Sequence, residues 1–405
     1  MNYINGLSGI KNIGNTCYMN SIIQCIGSLN MFRSWLITEQ FKTTLENNKS
    51  VELSNVIREQ RNIPDTEDVS IPKTLVDKAC IQTVTYRLAE LLKIMWGTNR
   101  TVAPNSLKKI IDEYTSMFIG HQQQDSREFL NFIFEQIHAD LEVPVNVIFQ
   151  NVPEEIIEFH KIKTEYDTII KSENITKEYK AYLVAKYNEY ISQHRANSII
   201  YDAYKYWKKY VADSHSIITD LFTGLLFTYI QCSECSNITY AFEPFTMLSI
   251  PIDNGLVTTL EECLTNFSKV ELLNGDNAYS CEVCKKKVNA IKEIKIWETP
   301  NILIIHFKRF EHNNDGITKI DTDVVYPINN FDLSTYMTPL NNSKTKYDLC
   351  AINEHIGSYH GGHYASYCIN PMDNNWYEYD DASINKKTIK ALSNTPYLLF
   401  YVRQI

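Results

Sequence analysis

No stretch of this 405-residue sequence offers the roughly 18 consecutive apolar residues that cross a bilayer, and its first residues lack the basic-then-apolar pattern of a secretory leader. A membrane-spanning or secreted protein is therefore not expected, and a soluble intracellular one is. Excess positive charge is missing too. The 39 Lys and Arg stand against 48 Asp and Glu, a net charge of −9, which disfavours nucleic acid and suits a partner with a basic surface or tail. Ten cysteines are too few for a disulfide scaffold of this length; in a reducing compartment such residues are core, metal-binding or catalytic. Internal repeats and low-complexity tracts are absent, and Gly and Pro nearly vanish between residues 150 and 212.

What is present belongs to a folded protein: 44% hydrophobic, 21% charged and 12% aromatic residues argue against extended disorder. The length allows two ordinary domains or one large multi-lobed one. Turn residues Gly14, Asn15 and Thr16 give way to Ile22, Ile23, Ile26, Leu29 and Phe32 at helical spacing. That pattern predicts a helix starting near Cys17 and running to about residue 36. Residues 81 to 96, 104 to 117 and 123 to 141 read as further helices, the last with Phe129, Leu130, Ile133 and Ile137 on one stripe. The segment 150–212, rich in Lys, Glu, Tyr and Ile, predicts long polar-faced helices that stand off the body as an insertion. After residue 216 short β-rich runs such as "GLLFTYIQC", "NILIIHFKRF" and "GGHYASYCI" predict a largely antiparallel sheet. A helical front and a β back without βαβ alternation give an α+β fold.

Three groups of residues carry chemistry. Cys17 sits where a helix begins, and a helix N-terminus supplies the partial positive charge and unpaired N–H groups that favour a thiolate and a developing oxyanion. Asn12, five residues upstream, offers an amide donor to the same oxyanion. The alternative reading of Cys17 is a small buried hydrophobe. His363 follows Gly361 and Gly362, which let a substrate backbone approach, and opens an alternating strand; it is a candidate base, or an ordinary strand-end histidine. Asp380 or Asp381 can hold the other imidazole nitrogen, or simply end a solvated strand. The second group is "CSEC" and "CEVC": Cys232, Cys235, Cys281 and Cys284 have the spacing of two knuckles joined in a closed tetrahedral zinc site, with no position open for catalysis. Cys263 lies between them without partner spacing. In the third group, "QQDSREF", Asp125 and Glu128 stand i, i+3 on one predicted helix face, able to clamp an arginine or to face water.

Taken together, these segments resemble the ubiquitin-specific proteases, papain-like deubiquitinases with thumb, palm and finger subdomains. "GIKNIGNTCYMNSIIQC" is similar to the cysteine box of that family, "QQDSREFL" to its acidic helix motif, and "HIGSYHGGHYASY" with "WYEYDDASI" to its histidine box. The resemblance runs from about Gly6 to Val402 and implies a single catalytic domain. Its expected parts are a helical thumb at 1–149, an insertion or divergent connection at 150–212, palm entry and zinc-ribbon fingers at 213–300, and a palm at 301–405. It implies Cys17 as nucleophile, His363 as base and then acid, Asp380 as the residue orienting it, Asn12 as oxyanion donor and Asp381 as an auxiliary polar group. It further implies that Asp125 and Glu128 meet the arginines of ubiquitin's tail, that the four knuckle cysteines hold one structural Zn2+, and that His355 is structural or gating. Arg127 departs from the polar residue the family often has there. The expected partners are ubiquitin and ubiquitinated proteins, with no nucleic acid, no membrane and a monomeric state. The expected location is cytoplasm or nucleus, or the host cell if the AT-rich flavour of the composition (Ile, Asn, Lys, Tyr) reflects a large virus. Flanking targeting domains are not seen in the sequence, so targeting is expected from the core, the 150–212 segment or other proteins. A protease for a ubiquitin-like modifier and a silent ubiquitin-binding adaptor are the rival readings.

Overall fold

The apolar runs "NILIIHF" and "YLLFYV" form strands Ile302–Lys308 and Pro396–Arg403, and both are buried almost throughout because the sheet they share is covered on both faces. This is a computed structural model, which describes residues 5–64, 67–120, 122–172, 175–313, 316–358 and 361–404. Across the palm sheet the strand order is Ser383–Lys387, Asn375–Asp380, Gly361–Asn370, Lys346–Ser358, Pro396–Arg403, Ile302–Lys308 and Leu248–Pro251. Its pairs are antiparallel except the last, where Leu248–Pro251 runs parallel to its neighbour. One face, through Ile302, Ile304, Ala351, Tyr364 and Phe400, packs on the helical lobe; the other, through Leu303, Ile305 and Phe307, packs on Leu260 and Leu264.

Among the described residues seven helices make the lobe: Cys17–Ser28, Asn30–Ile37, Lys42–Arg61, Lys73–Ile81, Val84–Thr98, Asn105–Tyr114 and Ser126–Leu141. The first is buried at all of its 12 residues, wedged between the palm sheet and the helix Ser126–Leu141. The helix predicted to reach residue 36 instead breaks at Leu29, whose extended backbone (ψ 95°) turns the chain while its side chain stays fully buried. Lys42–Arg61 and Lys73–Ile81 were not expected: the former buries only Leu45 and Ser54 and so carries no apolar stripe to read. Among the described residues two short α-helices also interrupt the β half. Ile217–Phe222 and Leu260–Phe267 each start on a capping box, Ser216 with Thr219 and Thr259 with Glu262.

A second sheet, Ile238–Phe245, Gly224–Cys232, Ala290–Glu298 and Glu271–Leu273, extends from the palm as a finger. The 150–212 segment is helical as expected, in Glu154–Lys171, Lys177–Gln193 and Arg195–Ala212, residues 173 and 174 lying outside the described residues. It does not stand wholly apart. The third helix lays Ile199 and Ala203 on Leu225, Phe227 and Trp297 at the finger's base, sharing a small apolar core with it.

Lobe and sheet are also stitched by one buried amide. The Ser126 hydroxyl donates to Asn353 Oδ1 at 2.8 Å, and Asn353 Nδ2 donates to Ser21 Oγ at 2.9 Å, joining two helices to the strand Lys346–Ser358. Asn353→Ala leaves the buried Ser126 hydroxyl without its acceptor, while Ser21 keeps its bond to the Tyr18 carbonyl, and a loss of about 1–3 kcal/mol is expected in urea denaturation.

Candidate active site

The loop before Cys17 is set by Asn12. Its Oδ1 accepts from the N–H of Gly14 and of Thr16, each at 3.1 Å, and the chain between them turns through left-handed backbone at Gly14 (φ 127°) and Asn15 (φ 51°). Gly and Asn are the residues that take such angles cheaply. The turn delivers Cys17 as the first residue of its helix, 4% exposed, where helical N–H groups have no intrahelical acceptor. The Asn12 amide then donates to Asp381 Oδ2 at 2.9 Å, so its orientation is fixed and its second N–H is uncommitted among the described residues.

His363 belongs to the strand Gly361–Asn370 and Asp380 ends the neighbouring Asn375–Asp380. The ring's Nε2–H donates to Asp380 Oδ1 at 2.6 Å, and the Cys17 side chain lies beside the ring. Chiefly through Cys17, opposed by burial and reinforced by Asp380, the imidazole is pushed up to about 9. An ionised ring at neutral pH is therefore ready to stabilise a thiolate.

Asp381, the other candidate, does not hold the ring. Its backbone is left-handed (φ 49°), and its Oδ1 accepts from Asn20 Nδ2 at 2.7 Å while Oδ2 takes Asn12. Its carbonyl accepts from Ile10 N–H at 2.8 Å, so the turn after Asp380 is bound to the segment that leads into Cys17. Asn20, not singled out from the sequence, is the buried polar residue in the first turns of an apolar helix, and that mismatch was its signal.

Gly361 and Gly362 open the histidine strand, the preceding Tyr359 and His360 of the quoted motif lying outside the described residues. Gly362 is gripped by Gln123: its N–H donates to Oε1 at 2.7 Å and its carbonyl accepts from Nε2 at 2.5 Å. Nothing in the sequence around Gln123 marks it for this grip. His355 lies directly beneath: a Cβ on Gly362 would come within 2.0 Å of His355 Nε2, so only glycine fits. The His355 ring is buried and driven down to about 4, first by burial and then by Lys319, whose Nζ donates to the carbonyls of His355 at 2.8 Å and Gly357 at 3.0 Å. A neutral, buried ring floors the strand; nothing in the sequence marked Lys319 as its neighbour.

The placement of Asp125 and Glu128 corrects the idea of two carboxylates side by side on a helix face. Asp125 is the N-cap of Ser126–Leu141: Oδ1 accepts from Arg127 N–H at 2.7 Å and Glu128 N–H at 3.2 Å, and Oδ2 accepts from the Tyr397 hydroxyl at 2.5 Å. Glu128 is exposed, with Arg127 Nη2 3.8 Å away.

At the finger's tip the four cysteines converge. Cys232 Sγ lies 3.8 Å from Cys284 Sγ and Cys235 Sγ 3.6 Å from Cys281 Sγ, all four within 4.8 Å of one another. The two turns are alike. In each the second cysteine's N–H points at the first one's sulfur (3.5 and 3.4 Å), and the next residue, Ser236 or Lys285, is left-handed at φ 56°. Two matching thiolate knuckles fit a tetrahedral ion, and the cluster can hold a structural metal.

A thiol at a helix head facing a carboxylate-held imidazole, in the seam between a helical lobe and an antiparallel sheet, defines the class: a cysteine hydrolase of papain-like architecture. The family profile described as "Ubiquitin carboxyl-terminal hydrolase" matches residues 8–401, and the chain belongs to that family. It is a deubiquitinase, a cysteine-type ubiquitinyl hydrolase. A probable ubiquitin carboxyl-terminal hydrolase, R319, of Acanthamoeba polyphaga mimivirus is 29% identical over 98% of this chain and 90% of its own length. Human ubiquitin carboxyl-terminal hydrolase 2 is 27% identical over 98% of this chain and 55% of its own; the chain thus spans about half of that relative. Among solved structures, the SAGA Ubp8/Sgf11/Sus1/Sgf73 DUB module bound to ubiquitin aldehyde has the same fold, with a TM-score of 0.62 at 22% identity over 100% of this chain and 71% of the other.

The raised imidazole has a measurable consequence. A folded-state value above the ordinary 6.5 or so means that the charged ring adds stability that is complete below that value and fades as pH rises through about 9. The His363 ring resonances are expected to titrate near 9 in the wild type and to move towards 6.5 in Cys17→Ala, because the largest cause of the shift is gone. NMR titration reads both; equal midpoints contradict the assignment.

Proposed function

We propose that the chain cleaves the bond after ubiquitin's terminal glycine with Cys17 as nucleophile. The observation that carries this reading is the hydrogen bond from His363 to Asp380 beside the thiol at the head of its helix. The Cys17 thiolate attacks the glycyl carbonyl carbon, and the oxyanion is met by N–H groups of the helix head and the second N–H of Asn12, which Asp381 orients. As the C–N bond breaks, imidazolium His363 gives its proton to the departing lysine amine. The ring, neutral again, takes a proton from water, whose oxygen attacks the thioester and frees Cys17. Asp380 keeps the ring in register throughout.

Gly361 and Gly362 leave room for an extended Gly-Gly tail, and Glu128, exposed beside Asp125, suits the arginines that precede it. Asp125, already holding a helix end and Tyr397, acts more by fixing that helix head than as a free carboxylate. Cys232, Cys235, Cys281 and Cys284 are proposed to bind one Zn2+, which supplies folding free energy to the finger and takes no part in the reaction. The same reading assigns a monomeric ubiquitin-binding domain with thumb, palm and fingers, working in the cytoplasm or nucleus.

Cys17→Ala should lower hydrolysis of a ubiquitin–fluorophore conjugate by about 10⁴-fold or more while ubiquitin binding persists by calorimetry. Wild-type protein inert towards ubiquitin but active on a ubiquitin-like modifier transfers the activity to that modifier, and inertness to both with binding intact makes the chain an adaptor. Elemental analysis should find one zinc per chain, and Cys281→Ser should lose it together with several degrees of melting temperature; zinc retained by that variant contradicts the four-thiolate site.

A further inference from the structure

The insertion holds a pocket that the hydrolase reading does not use. It lies between the helices Glu154–Lys171 and Arg195–Ala212, has a volume of about 630 Å3, and is walled by Phe149, Ile157, Tyr201 and Tyr204 with Lys205 and Lys208 among its lining residues. Tyr204 packs edge-on against Phe149 at 4.7 Å, and Tyr201 stacks on His160 at 4.9 Å, so the aromatic walls are braced. Ile157 nevertheless remains 56% exposed, an apolar surface without a cover among the described residues.

Charge decides what can cover it. Two lysines elsewhere in the insertion are paired, Lys163 with Asp167 at 3.2 Å and Lys186 with Glu189 at 3.3 Å. Lys205 and Lys208 have no such partner among the described residues, and no carboxylate lines the pocket. Residues 150–212 carry 10 Lys and Arg against 9 Asp and Glu, while the whole chain carries 39 against 48; the pocket is a cationic place on an acidic protein. A neighbouring cavity of about 380 Å3 shares Phe149 and Tyr204 as lining but is different in kind. There His215 is held by Asp220 at 2.6 Å, Glu298 accepts from Asn341 and Ser343, and Arg403 donates to Thr299 O at 3.2 Å. Its charges are spent internally, whereas those of the outer pocket are free.

We propose that the outer pocket is a docking site for an acidic segment of a partner protein bearing one bulky apolar side chain. The side chain enters between Phe149, Ile157 and Tyr204, and flanking carboxylates meet Lys205 and Lys208. Docking there is separate from the cleavage centre and recruits the partner to the enzyme.

The test uses the full chain and a pool of fluorescein-labelled nonapeptides in which Asp and Glu flank a central Phe, Trp or Leu, read by fluorescence anisotropy. Binding in the micromolar range that weakens at high salt is expected. Lys205→Ala with Lys208→Ala, and separately Ile157→Glu, should each weaken it at least about tenfold, while Lys205→Arg with Lys208→Arg retains it. Melting temperature and hydrolysis of the ubiquitin fluorophore should be unchanged in all of these, so the docking and hydrolase readings fail independently. Equal binding of peptides with Lys in place of the acids, an unweakened double alanine variant, or no binding by any peptide overturns the proposal. Saturable binding of dodecanoate without a response to any peptide also overturns it, in favour of a small amphiphilic anion.

Discussion

The enclosure of one helix sets the geometry of everything else. Cys17–Ser28 is buried on every side, so it can neither roll nor slide without opening the core that the helical lobe and the sheet share around it. Its polar residues are placed accordingly: Asn20 donates to Asp381, Gln24 to the Ser8 carbonyl, Ser21 accepts from Asn353, and Ser28 donates back to the Cys25 carbonyl of its own helix. A thiol at the head of such a helix has one position. The imidazole has to come to it, and the palm sheet supplies the approach: Gly361–Asn370 lies alongside the helix and is itself flanked by the strands carrying His355 and Asp380.

Electrostatics then separates two adjacent carboxylates that look equivalent in the sequence. Asp380, the last residue of its strand, accepts from the imidazole; Asp381, one residue on and left-handed, keeps a carboxylate oxygen within 4.8 Å of the ring but takes two amides instead. One carboxylate holds a cation and its neighbour holds neutral donors, so the two negative charges are not spent on the same ring. This division follows from the hairpin register, in which Asp380 pairs with Ser383.

Much of this was legible because reactive groups demand unusual surroundings. Gly14 and Asn15 before Cys17 are residues chosen for backbone angle, whereas of the glycine pair before His363 only Gly362 marks a close approach, and that is to His355 rather than to a substrate backbone. The two CxxC motifs predicted paired hairpin tips for the same reason. What escaped was tertiary in origin. Lys42–Arg61 has no stripe because it buries so little, the break at Leu29 is imposed by the core it enters, and Lys319 reaches His355 from a distant hairpin. The role of Asp125 was in fact readable: an acid with Glu three residues on, just ahead of an apolar run, marks a helix N-cap as well as it marks a binding pair.

The bond between Ile10 and Asp381 has a bearing on how the chain is made. Asn20 and Asp381, locked together in the finished molecule, are 361 residues apart. A ribosome therefore releases the thiol long before the imidazole and carboxylate exist, and the early helix has neither its sheet nor its charge partner. Until the last strands emerge, the thiol, the imidazole and the carboxylate cannot meet, so their assembly is timed by chain order.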